Sequence, residues 1–355
     1  MADDQQANPE LDEKLDDDEP TRLQPDVPPE VASPLASFKG EKPPAPAWFD
    51  WALAQEPERT MVPVEGAGIE LLTWGKLGNP GLILVHGNSA HADWWSFIAP
   101  FLADTYRVAS LSLSGMGGSD WRETYSFEQH ATEIWACAKA AGLYEGGGKP
   151  IYIGHSFGGS QVFYSATRYP ERMRAAVLVD TGFGGPPTRQ QEEQWRREEA
   201  RARGGGQQWR GPPQRTRPNR VYPTMEEALT RFRFMPPQAP GNLFVADFIA
   251  RKSLKRAPVP DGSGEGWTWK FDPFMWGKLD RNQMGGLDPK TAPPIAQIFG
   301  DRSAVMKRRD HAQRDDYVPA NVPTIAIPDS EHHIMVDQPL ALVAALRSLL
   351  AVWPA

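Results

Sequence analysis

The chain has 355 residues, 40% of them hydrophobic, which suits one large domain with an insertion or two modest domains. Residues 1–30 hold eleven acidic and two basic side chains, so the net charge of −7 belongs to this segment and the rest is nearly neutral. The body has no basic stripe and no run of about 18 apolar residues, which excludes a nucleic-acid-binding or membrane-spanning protein. Cys137 is the only cysteine, which excludes an internal disulfide and predicts a cytoplasmic protein.

The amino-terminal half divides into a tail and an alternating region. Residues 1–45 are acidic and proline-rich, and we expect a disordered tail. Residues 46–182 open with a short predicted helix at Trp48–Leu53 and then alternate strands with helices, as the first part of a parallel α/β core would. The predicted strands are Met61–Val64, Ile69–Trp74, Leu82–Val85, Val108–Leu113, Ile151–Ile153 and Ala175–Val179. The predicted helices are Trp94–Leu102, Phe127–Ala141 and Gln161–Tyr169.

Residues 183–290 interrupt this alternation, and we interpret them as an inserted lid. The lid contains two helix-like segments and an aromatic run: Met225–Phe234, Asn242–Leu254 and Trp267–Phe271. The alternation returns in residues 291–355, the second part of the core. Its predicted elements are two strands and a helix: Ile295–Phe299, Thr324–Ile327 and Leu340–Val352.

Gly154-His155-Ser156-Phe157-Gly158 fits the G-x-S-x-G pattern of a nucleophile elbow. The pattern alone is weak, but a predicted strand precedes it and a predicted helix follows. The glycines leave room for the strained turn that exposes the serine. We therefore predict Ser156 as the nucleophile of an acyl-transfer reaction.

Residues 86–88 directly follow the apolar strand Leu82–Val85. A loop in this position can direct the backbone N–H of Asn88 at an oxyanion. The N–H of Phe157, next to the nucleophile and at a helix amino terminus, is the second predicted donor. His86 is interpreted as a structural residue that braces the loop.

The general base should follow the last strand, where His332 and His333 are adjacent. Here the chain resembles the α/β-hydrolase family, whose members commonly carry a histidine followed five residues later by an acid and seven later by a proline. Asp337 and Pro339 lie at these offsets from His332, which favours His332 as base and His333 as a flanking pocket residue.

Further landmarks follow the family order: residues 86–87, the glycine-rich loop at 114–119, the elbow and then the histidine. The resemblance implies an eight-stranded, mostly parallel sheet with a helical lid inserted after the sixth strand. Because the nucleophile is a serine, the chain does not resemble the aspartate-dependent dehalogenase and epoxide-hydrolase branches.

The acid that orients His332 departs from the common family pattern. That acid usually follows the seventh strand, where this chain has Ser303, with Asp301 two residues earlier. Some branches carry the acid after the sixth strand instead, and Asp180 fits that place. We favour Asp180 and keep Asp301 as the alternative.

In the lid, Arg231 and Arg233 could bind a substrate carboxylate. Pairing of these arginines with nearby glutamates or solvent is the simpler interpretation. Trp267 and Trp269 could form the wall of an apolar acyl site, or simply pack the lid.

The predicted activity is hydrolysis of a small-molecule carboxylic ester through an acyl-enzyme, with no metal and no cofactor. Two alternatives stay open. One is hydrolysis of a carbon–carbon bond in a vinylogous diketone, and the other is a non-catalytic ligand-binding protein on the same scaffold. The sequence gives no oligomeric state.

Overall fold

The computed structural model describes residues 27–182, 217–260, 262, 264–280, 292–306 and 322–353. In these ranges the strands are β1 (Glu58–Val64), β2 (Ala67–Trp74), β3 (Gly81–Val85), β4 (Arg107–Leu111), β5 (Tyr125–Ser126), β6 (Ile151–His155), β7 (Ala175–Val179), β8 (Leu254–Pro258), β9 (Glu265–Trp269), β10 (Leu279–Asp280), β11 (Ile295–Gly300) and β12 (Thr324–Ile327). The α-helices are α1 (Pro29–Ala32), α2 (Ala47–Ala54), α3 (Phe127–Ala140), α4 (Phe157–Arg168), α5 (Met225–Thr230), α6 (Leu243–Lys252), α7 (Met275–Lys278), α8 (Ile334–Asp337) and α9 (Pro339–Val352).

Eight of the described strands form one sheet in the order β1-β2-β4-β3-β6-β7-β11-β12. Strand β2 is antiparallel to both of its neighbours. The pairs from β4 to β12 are all parallel. The predicted eight-stranded, mostly parallel sheet is therefore confirmed.

The central strands are apolar throughout because both faces of the sheet are covered. In β3, Leu82 and Leu84 face one core, and Ile83 and Val85 face the other. This alternation follows from the two-residue period of a strand. Helices α3 and α4 cover the second core, whereas α2 and α9 cover the first.

The carboxyl ends of the parallel strands meet at one edge of the sheet, where open α/β sheets build their sites. Three loops that begin there carry predicted site residues: Asn88 after β3, Ser156 after β6 and Asp180 after β7. A short loop after β12 carries His332. The topology thus explains why residues far apart in sequence can meet.

The long insertion connects β7 with its sheet neighbour β11. Its described part contains three helices, α5, α6 and α7, and the antiparallel pair of β8 and β9. It is joined to the core by the short parallel pair of β10 and β5, and by a bridge between Met116 and Phe271. Residues 183–216 of the predicted lid lie outside the described residues.

Three predicted elements differ from the observed ones. The predicted helix Trp94–Leu102 consists of two short 3-10 helices, Ala92–Trp95 and Ala99–Phe101. Pro100 lacks the N–H that a continuous α-helix would need there. The helix predicted over Met225–Phe234 ends at Thr230, and the predicted aromatic run lies largely in β9.

The predicted disorder of residues 1–45 is wrong for residues 27–45. Helix α1 lies in this segment, and Leu35 is 2% exposed within the first core. The Arg251 guanidinium also donates a hydrogen bond of 2.5 Å to the carbonyl of Gly40. Pro34 and Pro43 are buried as well, so the segment has apolar contacts although its composition is largely polar. Residues 1–26 lie outside the described residues.

In the described ranges, no helix combines the length and the hydropathy that a membrane span requires. The cytoplasmic location stays a prediction.

Candidate active site

Ser156 occupies the sharp turn between β6 and α4. Its φ of +53° and ψ of −118° lie where L residues are rarely found. A Cβ added at Gly154 would lie 2.4 Å from the carbonyl oxygen of Gly158, and one added at Gly158 would lie 2.3 Å from that of His86. Only glycine fits at either position. The pattern therefore has the strained strand–turn–helix geometry that the sequence predicts.

The side chains of Ser156, His332 and Asp180 form one hydrogen-bonded chain. The Nε2 atom of His332 lies 2.8 Å from the Oγ atom of Ser156. The Nδ1 atom lies 2.6 Å from the Oδ2 atom of Asp180. His332 is 4% exposed and Asp180 is fully buried. In this arrangement Nδ1 donates to the carboxylate, and Nε2 can accept the serine proton.

The structure brings Asp180, and not Asp301, to His332. Besides His332, Asp180 accepts hydrogen bonds from the hydroxyl of Ser303 to Oδ2 at 2.6 Å and from the N–H of Gly300 to Oδ1 at 3.0 Å. Ser303, three residues after the end of β11, thus stands beside the carboxylate. Asp301 is exposed and accepts from the N–H of Ser330 at 3.3 Å.

The two predicted oxyanion donors belong to segments beside the nucleophile. Phe157 is the first residue of α4, so its N–H has no acceptor within the helix. The loop that carries Asn88 packs beside Ser156, since a Cβ added at Gly87 would lie 3.3 Å from the serine Cβ. Both predicted donors therefore come from segments that border Ser156.

A sequence model of the alpha/beta hydrolase fold matches residues 80–339, more than half of the chain. The chain therefore belongs to the alpha/beta hydrolase family. The rat 1-acylglycerol-3-phosphate O-acyltransferase ABHD5 is 26% identical over 283 residues, 73% of each chain. Lipase LipV of Mycobacterium tuberculosis is 27% identical over 107 residues, 30% of this chain and 39% of the lipase. The mouse bifunctional epoxide hydrolase 2 is 32% identical over 107 residues, 29% of this chain and 19% of the relative.

Two solved structures show the same fold. A thioesterase domain from the curacin biosynthetic pathway has a TM-score of 0.58 at 17% identity, covering 82% of this chain and 99% of the domain. The E-2-(acetamidomethylene)succinate hydrolase has a TM-score of 0.58 at 19% identity, covering 82% of this chain and 98% of that one.

In this family member, His86 braces the loop beside the nucleophile, as predicted. Its Nδ1 donates to the carbonyl of Gly87 at 2.7 Å, and its Nε2 accepts from the N–H of Leu113 at 3.0 Å. Complete burial lowers its pKa to about 3. The ring is therefore neutral, and it joins the loops that follow β3 and β4.

Two further imidazoles flank His332. His155 donates from Nε2 to the carbonyl of His332 at 2.9 Å, and the ring of His333 lies 4.9 Å from that of His332. Burial, and then the charge that His332 can carry, hold the pKa values of His155 and His333 well below the usual histidine range. Both rings are thus neutral near pH 7, and the predicted place of His333 beside the base is observed.

The same three histidines are the one group of possible metal ligands among the described residues. Their ring nitrogens lie within 4.8 Å of one another. Both nitrogens of His332 already have partners, Asp180 and Ser156. Zinc bound at about 2.1 Å would need a tighter cluster with free lone pairs. The geometry therefore favours a hydrogen-bonded base over a metal site.

Sequence reasoning missed an aromatic wall beside the histidines. The Trp94 and Phe234 rings lie 5.4 and 5.0 Å from His333 and 5.9 Å from each other. Trp276 of the insertion packs on Phe157 at 5.4 Å. Trp94 lies six residues after Asn88, and this short distance in sequence could have assigned it to the site. No sequence feature links Phe234 or Trp276 to the site.

The predicted lid residues lie farther out. Arg231 is exposed at the end of α5, Arg233 is half-buried, and neither takes part in the hydrogen bonds of Ser156, His332 and Asp180 described above. The Arg256 guanidinium lies over the ring of Trp267 at 4.7 Å.

Trp269 approaches the site only through other rings. It packs against Phe232 at 6.1 Å, and Phe232 packs against Phe234 at 5.0 Å. Trp269 thus supports the aromatic wall from behind.

Proposed function

We propose that this chain is a serine hydrolase that cleaves a small-molecule carboxylic ester through an acyl-enzyme. The observation that carries the proposal is the continuous chain of hydrogen bonds from Ser156 through His332 to Asp180, at 2.8 and 2.6 Å. The strained elbow supports it, because a backbone in that conformation persists only where its surroundings hold it.

In the proposed reaction, Nε2 of His332 removes the proton of Ser156 as Oγ attacks the acyl carbon. The negative charge on the carbonyl oxygen is stabilised by the N–H groups of Asn88 and Phe157. The carbon–oxygen ester bond then breaks, and His332 returns the proton to the departing alcohol. Water, deprotonated by the same nitrogen, attacks the acyl-enzyme and releases the acid and free Ser156.

The surroundings of His332 support its role as base. The positive charge that forms on the ring lies 2.6 Å from the Asp180 carboxylate. His155 and His333, with lowered pKa values, stay neutral and add no like charge. The charged form of His332 is therefore stabilised by the only formal charge in contact with it among the described neighbours.

We propose that residues 183–290 form a lid over the site. We also propose that the preferred substrate carries an apolar acyl group. Trp94 and Phe234 border the histidines directly, whereas Arg231 is exposed. Aromatic rings at the site favour an apolar acyl chain over a charged one. We therefore assign acyl contacts to this wall, with Trp269 behind it.

Transfer of the acyl group to an alcohol in place of water is a second candidate. It is favoured by the likeness to ABHD5, a protein named as an acyltransferase, which extends over 73% of both chains. The same acyl-enzyme would serve both reactions, so the products decide between them. The carbon–carbon hydrolase and a non-catalytic binding protein stay alternatives.

A panel of p-nitrophenyl esters of graded acyl length tests the proposal, with Ser156→Ala as control and an alcohol acceptor added in parallel. We expect turnover by the unmodified protein and none above about 1% with the variant, since triad losses cost several orders of magnitude. A transacylated product would favour the second candidate. Cleavage of a vinylogous diketone without ester turnover would favour the carbon–carbon hydrolase.

A further inference from the structure

The backbone on both sides of His332 is held by side chains that do not touch Ser156. The N–H of Glu331 donates to Oδ2 of Asp337 at 2.9 Å, and the N–H of His333 donates to Oε1 of Gln238 at 2.9 Å. The amide of Gln238 in turn donates from Nε2 to the same Oδ2 of Asp337 at 3.0 Å. One glutamine and one aspartate therefore close a ring of hydrogen bonds around the histidine.

This ring joins two parts of the chain that are distant in sequence. Gln238 belongs to the insertion and is 2% exposed. The N–H of Gly241, three residues on, donates to Oδ1 of Asp337 at 3.0 Å. The Asn242 side chain donates to the carbonyls of Val336 and Asp337 at 2.9 and 3.0 Å. The insertion is thus fastened to residues 333–337, which directly follow the general base, through both backbone atoms and the Asp337 carboxylate.

We infer that Gln238 and Asp337 are positioning residues that hold His332 in line with Ser156. The position of the insertion on the core therefore determines how active the base is. The inference rests on the proposed function. A backbone shift of about 1 Å at a catalytic group can cost about a hundredfold in rate. Since neither residue contacts the reacting atoms, its loss should lower kcat with little effect on KM.

The hydrogen bonds of Gln238 and Asp337 fix how each side chain is oriented. The amide of Gln238 gives one hydrogen bond and receives one, which fixes its orientation. Burial raises the pKa of Asp337, and the donors from Glu331, Gly241 and Gln238 oppose this rise. A glutamate at position 238 would keep the acceptor for His333 but place a second carboxyl against Asp337.

The Gln238→Glu substitution gives a test in which the direction of the pH dependence of kcat is defined. In Gln238→Glu, the two carboxyls must share a proton to restore the lost hydrogen bond. The shared proton is present at low pH and is lost as pH rises through the raised pKa of the pair. The titratable side chains adjoining the pair on the histidine loop are Glu331, His332 and His333. From the insertion, Gly241 and Asn242 contact Asp337, and neither titrates.

The experiment compares the full chain with Gln238→Ala, Gln238→Glu and the control Thr268→Val. Thr268 lies in strand β9 of the insertion, and its side-chain hydroxyl donates to the carbonyl of Arg220 at 2.9 Å, away from Gln238 and Asp337. We expect Gln238→Ala to lower kcat by about tenfold to a hundredfold with KM within about threefold. Gln238→Glu should match that loss near pH 9 and recover toward the wild-type rate near pH 6. The control should stay within about twofold.

Amide hydrogen exchange of residues 329–336 supplies a readout that needs no substrate. We expect faster exchange in Gln238→Ala and unchanged exchange in Thr268→Val. A wild-type kcat, a loss confined to KM, or equal pH profiles for the alanine and glutamate variants would overturn the inference. If wild-type protein cleaves no ester, the proposed function fails, and unchanged exchange in the alanine variant would then overturn the inference separately. If the alanine variant does not fold, the pH profile and exchange of Gln238→Glu decide.

Discussion

Replacing Asp180 with asparagine exchanges one carboxylate oxygen for an NH₂ group, although both oxygens of this carboxylate accept hydrogen bonds. Oδ2 accepts from His332 and from Ser303, both at 2.6 Å, and Oδ1 accepts from the N–H of Gly300 at 3.0 Å. The amide of asparagine must place its NH₂ group at one of these positions. Facing Gly300, it meets a backbone donor that cannot turn. Facing His332, it stabilises the tautomer that carries the proton on Nε2, and this tautomer cannot accept the serine proton.

The two orientations set the expected loss. Two buried donors facing each other at Gly300 cost about 1–3 kcal/mol, so the orientation with the wrong tautomer is favoured by a factor of about 5 to 150. In the fraction of molecules that keep the correct tautomer, the neutral amide no longer stabilises the charged form of His332. A hydrogen bond to a charged group is worth about 1.5–3 kcal/mol, a further factor of about 10 to 150. We therefore expect kcat to fall by about 10² to 10⁴.

The assay is kcat for the best ester of the graded panel, with the melting temperature measured alongside. Asp301→Asn is the matched control, because its exposed carboxylate accepts a single long hydrogen bond from Ser330 at 3.3 Å. That variant should stay within about threefold of wild type. More than about 10% activity in Asp180→Asn, or an equal loss in Asp301→Asn, would refute the reasoning.

Three other predictions follow from the same structure. His332→Ala should lower kcat by at least about a thousandfold and His333→Ala far less, because only His332 bonds Ser156; equal losses would contradict this assignment. The buried histidines His86, His155 and His333 stabilise the fold in their neutral form; this stability is complete above the unfolded pKa near 6.5 and is lost as pH falls toward their lowered folded pKa values, about 3 for His86. The melting temperature should therefore decrease from about pH 7 to pH 5, and a flat profile would count against this burial. Removing residues 1–26 should leave the melting temperature unchanged, whereas removing residues 1–45 should lower it by about 5 °C, since Leu35 is buried; equal effects would reject the docking of this segment.

Most of the sheet could be predicted from local patterns. Strand β3 is a fully apolar run, and Ala175–Val179 and Thr324–Ile327 were predicted with the observed bounds. Strands β3 and β7 are buried throughout because both faces of the sheet are covered there, so their apolar composition identifies them. The segment 27–45 could not be predicted, because its order depends on a contact between Leu35 and a distant core.

The residues of the hydrogen-bonded chain were also accessible from sequence. Ser156 lies in a local motif, and the spacing to Asp337 distinguishes His332 from His333. Asp180 followed from its distance to the nucleophile, and its geometry matches that expectation.

The pocket and its supports were not accessible in the same way. Phe234 and Gln238 reach the histidines from the insertion, through contacts across about 95 to 100 residues of sequence. No periodicity or motif encodes such pairings. Arg231 and Arg233 were plausible by charge alone, and the structure instead places aromatic rings beside His333, next to the base.

The central claim is that Ser156 is an activated nucleophile. A fluorophosphonate forms a covalent bond only with a serine whose proton a neighbouring base removes, and mass spectrometry of the digested protein locates the adduct. We predict one adduct per chain, on the peptide that contains Ser156, and none in Ser156→Ala. Wild-type protein that stays unlabelled, or an adduct on another serine that persists in Ser156→Ala, would contradict the account.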